Sequence, residues 1–179
     1  MKPKPKSKST KLSPSEQKAR KADQSFTKSI NSLYTRSRTA LEEGELATAH
    51  DLASRACTLL PKDSPNVHPI ELLGEIKIEM GEIEQARECF LEAVRRKEGG
   101  LETELGEEGK FLWLGQLSSE EEAEKWYLQG VEVLLRLLGL IAEDEKKRVV
   151  REKISEVYCS LIELYLTDLW FLPQGIFKG

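Results

Sequence analysis

The segment IELLGEIKIEMGEIEQARECFLEAV, residues 70–94, is the strongest indication of the fold, because it contains two helical patterns separated by a glycine. Gly81 ends the first pattern, and glycine readily adopts the positive φ found at the C-termini of helices. Small and aromatic residues then recur on one face of the second pattern: Ala86, Phe90 and Ala93. Together with Gly74 in the first pattern, the small residues allow two antiparallel helices to approach closely. The segment therefore predicts a helical hairpin.

The same hairpin pattern occurs 37 residues earlier in the chain. Gly44 stands before Ala49, Ala53 and Ala56 as Gly81 stands before the small residues of the second unit. Self-similarity at a fixed period is the sequence signature of repeat architectures. Since one hairpin buries only part of its apolar surface, successive hairpins are expected to stack.

Two further units are recognisable. The third repeats the Leu-Gly pair and the small-aromatic-small triplet with one helical turn fewer, at Leu114, Gly115, Ala123, Tyr127 and Gly130. The fourth supplies the pattern of a first helix, in a long helix predicted to begin near Ala142, at Tyr158, Leu161, Ile162 and Tyr165. No second helix follows it.

These units resemble tetratricopeptide repeats. The resemblance implies an all-α fold, a superhelical solenoid of helical hairpins with about three and a half repeats in residues 29–169. Residues 1–28 are rich in Lys, Pro and Ser and predict a disordered basic tail. Residues 99–110 predict a flexible connector, and residues 170–179 an irregular C-terminal end.

Charge is divided unevenly along the chain. Residues 1–28 hold nine Lys or Arg against two acidic residues, whereas the remainder holds 18 basic and 29 acidic residues. The acidic body is a poor match for nucleic acid, whose phosphates require basic surface, and a better match for a basic partner. The tail is either a nuclear-import signal or weak RNA contact, or simply a solubilising segment.

No set of residues for catalysis emerges from the sequence. The two histidines, His50 and His68, have no Cys or Asp at metal-ligand spacing, and no nucleotide-binding or nucleophile motif is present. The chain is therefore predicted not to be an enzyme, with no cofactor, metal or small-molecule substrate. It has no secretory signal and no apolar run long enough for a membrane span, so no membrane partner is expected. The scattered cysteines, Cys57, Cys89 and Cys159, suit small buried side chains in a reducing compartment.

The first helix of each hairpin is expected to line the inner groove of the solenoid. In the second unit, that helix carries Glu71, Glu75 and Glu79 four residues apart, a spacing that costs roughly 0.2–0.5 kcal/mol per like-charge pair. No Lys or Arg lies three or four residues from Glu75. The hypothesis is that a positively charged ligand relieves this repulsion; the alternative is an ordinary solvated face. Because Arg38 is the only basic groove residue, recognition of the acidic tails of heat-shock chaperones is disfavoured.

Two stretches narrow the resemblance: FLWLGQLSSEEEAEKWYLQGVEVL, residues 111–134, and SEVYCSLIELYLTDL, residues 155–169. They resemble the fungal-type assembly chaperones dedicated to ribosomal large-subunit protein four. That resemblance implies an acidic cradle that holds the basic internal loop of the ribosomal protein and escorts it from cytoplasm to nucleus, with an import receptor as a further partner. Members of the family continue through more repeats, so the departure after Leu169 is expected of a truncated chain.

The residues predicted to contact the basic client are Tyr34, Arg38, Glu71, Glu75, Glu79 and Glu163. Trp113 is a weaker candidate for stacking on client arginines. Two other functions stay open at this point: a generic repeat scaffold that joins two unrelated proteins, and nucleic-acid binding through the basic tail alone.

Overall fold

A computed structural model of the protein describes residues 14–97, 106 and 108–169. The described residues form seven α-helices and a terminal π-helical turn. The helices are α1 (Pro14–Glu42), α2 (Leu46–Leu59), α3 (His68–Glu79), α4 (Ile83–Arg96), α5 (Gly109–Gln116), α6 (Glu120–Leu140) and α7 (Asp144–Leu164), and the turn is Tyr165–Leu169. None of these helices is both long and apolar enough to cross a bilayer.

Consecutive helices pack against each other along the whole described chain. The hairpins α1–α2, α3–α4 and α5–α6 are stacked through the contacts α2–α3, α4–α5 and α6–α7. The first helices also meet directly, since α1 contacts α3. The predicted all-α hairpin solenoid is confirmed.

The first two hairpins end their first helix in the same way. Gly44 and Gly81 have φ values of 79° and 77°, the left-handed conformation that glycine adopts without a Cβ clash. After α1, the Glu45 amide donates to the Ala40 carbonyl at 2.8 Å. After α3, the Glu82 amide donates to the Lys77 carbonyl at the same distance. These bonds satisfy carbonyls that the helix end leaves without partners. The C-termini of α1 and α3 are therefore followed by the turn glycines predicted from the sequence, Gly44 and Gly81.

Close packing within the hairpins depends on helix glycines that face aromatic rings. A Cβ added to Gly74 would lie 2.7 Å from Cζ of Phe90, and one added to Gly115 would lie 2.6 Å from Cε1 of Tyr127. Both distances are far below a van der Waals contact. The small-aromatic pairing predicted from the repeats therefore sets how near α3 lies to α4, and α5 to α6.

The shortened third unit is confirmed, because α5 has 8 residues where α3 has 12. The prediction of a flexible connector over residues 99–110 is wrong at its C-terminal end, since Gly109 and Lys110 belong to α5. Lys110 is held in the helix by packing that leaves it 1% exposed. The rest of the connector, apart from Gly106 and Glu108, lies outside the described residues.

The N-terminal boundary also differs from the expectation. The segment predicted as a disordered tail, residues 1–28, is helical from Pro14 onward. Proline is favoured at the first position of a helix, and the Glu, Gln, Lys, Ala and Arg residues that follow have high helix propensity. Residues 1–13 and the predicted irregular end at 170–179 lie outside the described residues.

The fourth unit presents two different faces. The long helix begins at Asp144, close to the predicted start near Ala142. Val150, Val157 and Leu161 are buried against α6. Other apolar side chains of α7 and the turn after it are exposed: Tyr158, Ile162, Tyr165 and Leu166.

The three cysteines are free thiols in different surroundings. Cys57 and Cys89 are partly buried beside the α2–α3–α4 packing, as predicted for small apolar side chains. Burial, with a smaller contribution from Cys89, raises the pKa of Cys57 to about 12. Cys159 is exposed, so the expectation of a buried side chain is wrong there.

Candidate functional site

The first helices of three successive hairpins share a cavity of about 460 Å³. The end of α1 and the start of α2 supply one wall, α3 supplies two carboxylates, and α5 supplies an indole. The residues that line this shared cavity are Leu41, Gly44, Leu46, Glu75, Glu79 and Trp113. The cavity is thus lined mainly by the first helices of the three hairpins, the elements that were predicted to line the inner groove.

Glu75 is paired with a cation from the neighbouring hairpin. Nη2 of Arg38 lies 3.5 Å from Oε2 of Glu75. Nε of Arg38 donates to the hydroxyl of Tyr34 at 3.3 Å, and the guanidinium lies 5.6 Å from the centre of the Tyr34 ring. Three of the predicted site residues, Tyr34, Arg38 and Glu75, are thus brought together across α1 and α3.

The pKa of Arg38 is shifted toward its charged form, whereas the pKa of Glu75 is shifted toward its neutral form. Burial raises the pKa of Glu75, and the charge of Glu71 adds to that effect, while Arg38 opposes it without reversing it. Burial acts to lower the pKa of Arg38, but its bond with Tyr34 and the charge of Glu75 together raise it. At Glu75, burial therefore outweighs the charge of Arg38, and a further positive charge nearby would favour the ionised carboxylate.

Glu71 does not lie on the exposed side of α3, and the expectation that it does is wrong. The residue is 9% exposed and lies between α3 and α5. Its Oε2 is 3.3 Å from Nδ1 of His68, and its Oε1 is 3.8 Å from Nζ of Lys110. That Oε1 atom is buried and, among the described residues, accepts no hydrogen bond. Glu71 is therefore directed mainly toward the helix interface.

Glu79 is the most accessible carboxylate of the stripe. It is exposed and lines the shared cavity. Within the described residues, no cation forms an ion pair with it. The three carboxylates of the stripe thus differ in their surroundings. Glu71 is buried, Glu75 is half-buried and paired with Arg38, and Glu79 is exposed, with no ion pair among the described residues.

Glu163 is separate from this group. It is an exposed residue of α7 and does not line the shared cavity. Its charge adds to the effect of burial in raising the pKa of Tyr127, so it lies near the contact between α6 and α7. The structure therefore brings five of the predicted residues to the α1–α3 region and leaves the sixth on another part of the chain.

Ion pairs with at least one buried partner also occur in the later hairpins. Lys110 of α5, beside Glu71, lies 4.7 Å from the centre of the Phe111 ring. Glu108, fully buried at the start of α5, is bonded to Lys153 of α7 and accepts a bond from the Gly106 amide at 2.8 Å. Lys110, Glu108 and Lys153 are missing from the sequence prediction, because their partners lie about one repeat away and helical spacing does not reveal them.

The arrangement is suited to binding a cation. Within the described ranges, no group of three or more His, Cys, Asp or Glu residues could hold a metal ion. A carboxylate pair beside an indole and two leucines can instead accept a cation that carries an apolar stem.

Comparisons with known proteins identify the chain's relatives. No family model matches. The chain is 38% identical over 139 residues to a "Probable assembly chaperone of rpl4" from Schizosaccharomyces pombe, covering 77% of this chain and 39% of that protein. It is 35% identical over 99 residues to a protein of the same name from Emericella nidulans, covering 52% of this chain and 26% of the relative.

A solved structure agrees with these sequence matches. The "Assembly Chaperone of RpL4 (Acl4) (Residues 1-338)" superposes with a TM-score of 0.71 at 30% identity, covering 80% of this chain and 56% of that one. This chain therefore covers 39% and 26% of the two relatives and 56% of the chain in the solved structure. The resemblance predicted from the sequence is confirmed: the chain is a homologue of the assembly chaperones of rpl4 and shares their helical-repeat fold.

Proposed function

We propose that this chain is a chaperone for the ribosomal protein rpl4 and that it holds the basic internal loop of that protein against the shared cavity. The proposed role is non-enzymatic and belongs to ribosome assembly. The homologues named as assembly chaperones of rpl4 support the choice of client. Because the chain spans only part of their length, the client and the way it is bound are proposals.

The observation that carries the proposal is the state of Glu75 and Glu79. Both carboxylates line the same cavity, one half-buried with its pKa raised and the other exposed without an ion pair among the described residues. An additional positive charge in the cavity would stabilise both. Lys or Arg side chains of a basic loop would supply it, whereas an acidic peptide or a nucleic acid would be repelled.

The experiment is a calorimetric titration of the chain with a synthetic peptide of the basic rpl4 loop. The variant Glu75→Gln/Glu79→Gln removes two charges with little change in side-chain size. We expect the peptide affinity to fall by about tenfold or more, as for charged groups in a partly desolvated interface. We also expect the wild-type affinity to fall as salt rises, because exposed charges are screened.

The matched control is Glu84→Gln/Glu121→Gln, which makes the same charge change at exposed positions of α4 and α6. It should bind the peptide as the wild type does. Equal weakening by both variants would show that only net charge matters, and an unchanged affinity in the cavity variant would refute the proposed site. A generic scaffold that uses another face would bind its partners regardless of the cavity variant.

The resemblance also leads us to propose that the chain works in the cytoplasm and the nucleus. Fluorescence microscopy of the tagged chain, with and without residues 1–13, tests this. Retention in one compartment alone would contradict it.

A further inference from the structure

The shared cavity has a chemical asymmetry that goes beyond a preference for positive charge. Its lining combines the carboxylates of Glu75 and Glu79 with the indole of Trp113 and the apolar side chains of Leu41 and Leu46. The Trp113 ring is fixed by stacking on Phe90, with centroids 6.1 Å apart and an interplanar angle of 16°. An aromatic ring and carboxylates that line one cavity form an arrangement that recognises a planar cation.

The chain already contains one guanidinium bound in such a setting. Arg38 lies 5.6 Å from the centre of the Tyr34 ring and 3.5 Å from the Glu75 carboxylate. Arg38 thus contacts both an aromatic ring and a carboxylate. Trp113 and Glu79, at the same cavity as Glu75, provide a second aromatic group and a second carboxylate. In the described residues, this second pair has no guanidinium of its own.

The apolar lining favours the rest of an arginine side chain. Arginine has a three-carbon stem that can lie along leucine side chains while the charged end reaches the carboxylates. Its planar guanidinium stacks on aromatic rings and forms paired hydrogen bonds to a carboxylate. Lysine carries a compact and strongly hydrated ammonium group, so it gains less from the ring. A cavity of about 460 Å³ accommodates one such side chain.

We propose that the shared cavity is an arginine-selective subsite, in which one client arginine lies against Trp113 and pairs with Glu75 and Glu79. This inference rests on the proposed function and adds a choice between arginine and lysine that net charge alone does not make. Arg38 keeps its ion pair with Glu75, so two guanidinium groups share that carboxylate. Trp113 is then a specificity-determining residue.

The first test uses the wild-type chain and two peptides. One is the basic rpl4 loop peptide, and the other has every arginine replaced by lysine, which leaves the charge unchanged. We expect the lysine peptide to bind about three- to thirtyfold more weakly, the range expected from losing one cation–aromatic contact. Equal affinity of the two peptides would overturn the inference, whereas failure of both to bind would instead count against the proposed function.

The second test changes the ring. Trp113→Leu should reduce the preference for the arginine peptide to about twofold or less, because no aromatic face remains. Trp113→Phe keeps the packing on Phe90 and should retain part of the preference. The matched control is Trp126→Phe, since Trp126 stacks on Phe111 and does not line the cavity.

Circular dichroism establishes that each variant is folded before binding is measured. If Trp113→Leu does not fold, the comparison of Trp113→Phe with Trp126→Phe decides the question, because both retain a ring. A preference for arginine that is the same in all folded variants would overturn the assignment to Trp113.

Discussion

The first and second hairpins begin from the same repeat pattern but achieve close packing in opposite ways. In α3–α4, Gly74 faces the ring of the fully buried Phe90. In α1–α2, the residue at the equivalent position is Ser37, also fully buried, whose hydroxyl donates to the Ala49 carbonyl at 2.7 Å. The residue equivalent to Phe90 is Ala53. Compared with the second hairpin, the first hairpin therefore has a larger residue on its first helix, Ser37 in place of Gly74. It has a smaller residue on its second helix, Ala53 in place of Phe90.

The third hairpin follows the second, with Gly115 against Tyr127. In the second and third hairpins, a glycine on the first helix makes room for an aromatic ring on the second helix. Close packing leaves no room for a Cβ beside either ring, whereas the first hairpin has two small residues, Ser37 and Ala53, at these positions. In the first hairpin, the hydrogen bond from Ser37 to the Ala49 carbonyl joins the two helices instead.

The largest effect is expected from truncating the ring in the second hairpin. Phe90→Ala should reduce the free energy of unfolding by about 3–5 kcal/mol, because it removes a fully buried side chain and leaves a cavity. Urea unfolding followed by circular dichroism measures the loss. Ile83→Ala is the control, since Ile83 is an exposed apolar residue of the same helix. Similar losses in both variants would mean that the Gly74–Phe90 contact has no special role.

An intermediate effect is expected from adding one methyl group to the first helix of the same hairpin. Gly74→Ala should cost roughly 1–3 kcal/mol of unfolding free energy, because its Cβ would overlap the Phe90 ring. The double variant with Phe90→Leu should lose less than the sum of the single changes, which thermal unfolding can measure.

The control for this change is Gly139→Ala in α6, where an added Cβ meets nothing within 4 Å. There the substitution should raise stability by about 0.5–1 kcal/mol through better helix propensity. A stabilising Gly74→Ala would contradict the packing account.

The smallest effect is expected in the first hairpin. Ser37→Ala should lower the unfolding free energy by about 0.5–1.5 kcal/mol, because it removes a buried hydrogen bond and leaves a side chain of nearly equal size. Ser155→Ala is the control, since its hydroxyl bonds a carbonyl of its own helix at an exposed site. The same urea titration compares them, and equal losses would show that the bond to Ala49 does not join the helices.

The candidate site was only partly predictable. The acidic stripe could be recognised because its members lie four residues apart, but the partners of those carboxylates could not. Arg38 and Lys110 each lie about one repeat from the carboxylate they contact, and nothing in the local pattern of α3 indicates them. The inference that the stripe lacks compensating charge was therefore correct within the helix and incomplete for the folded chain.

The local pattern was sufficient for the helical hairpins, their glycine ends at Gly44 and Gly81, and the shortened third unit, because helix formation and capping depend on neighbours within about one turn. Packing alone decided that Glu71 is buried, that Glu75 is paired and that Glu79 is left beside Trp113 in the shared cavity. The physical reason is that exposure and charge pairing depend on which distant side chains the stacked hairpins bring together.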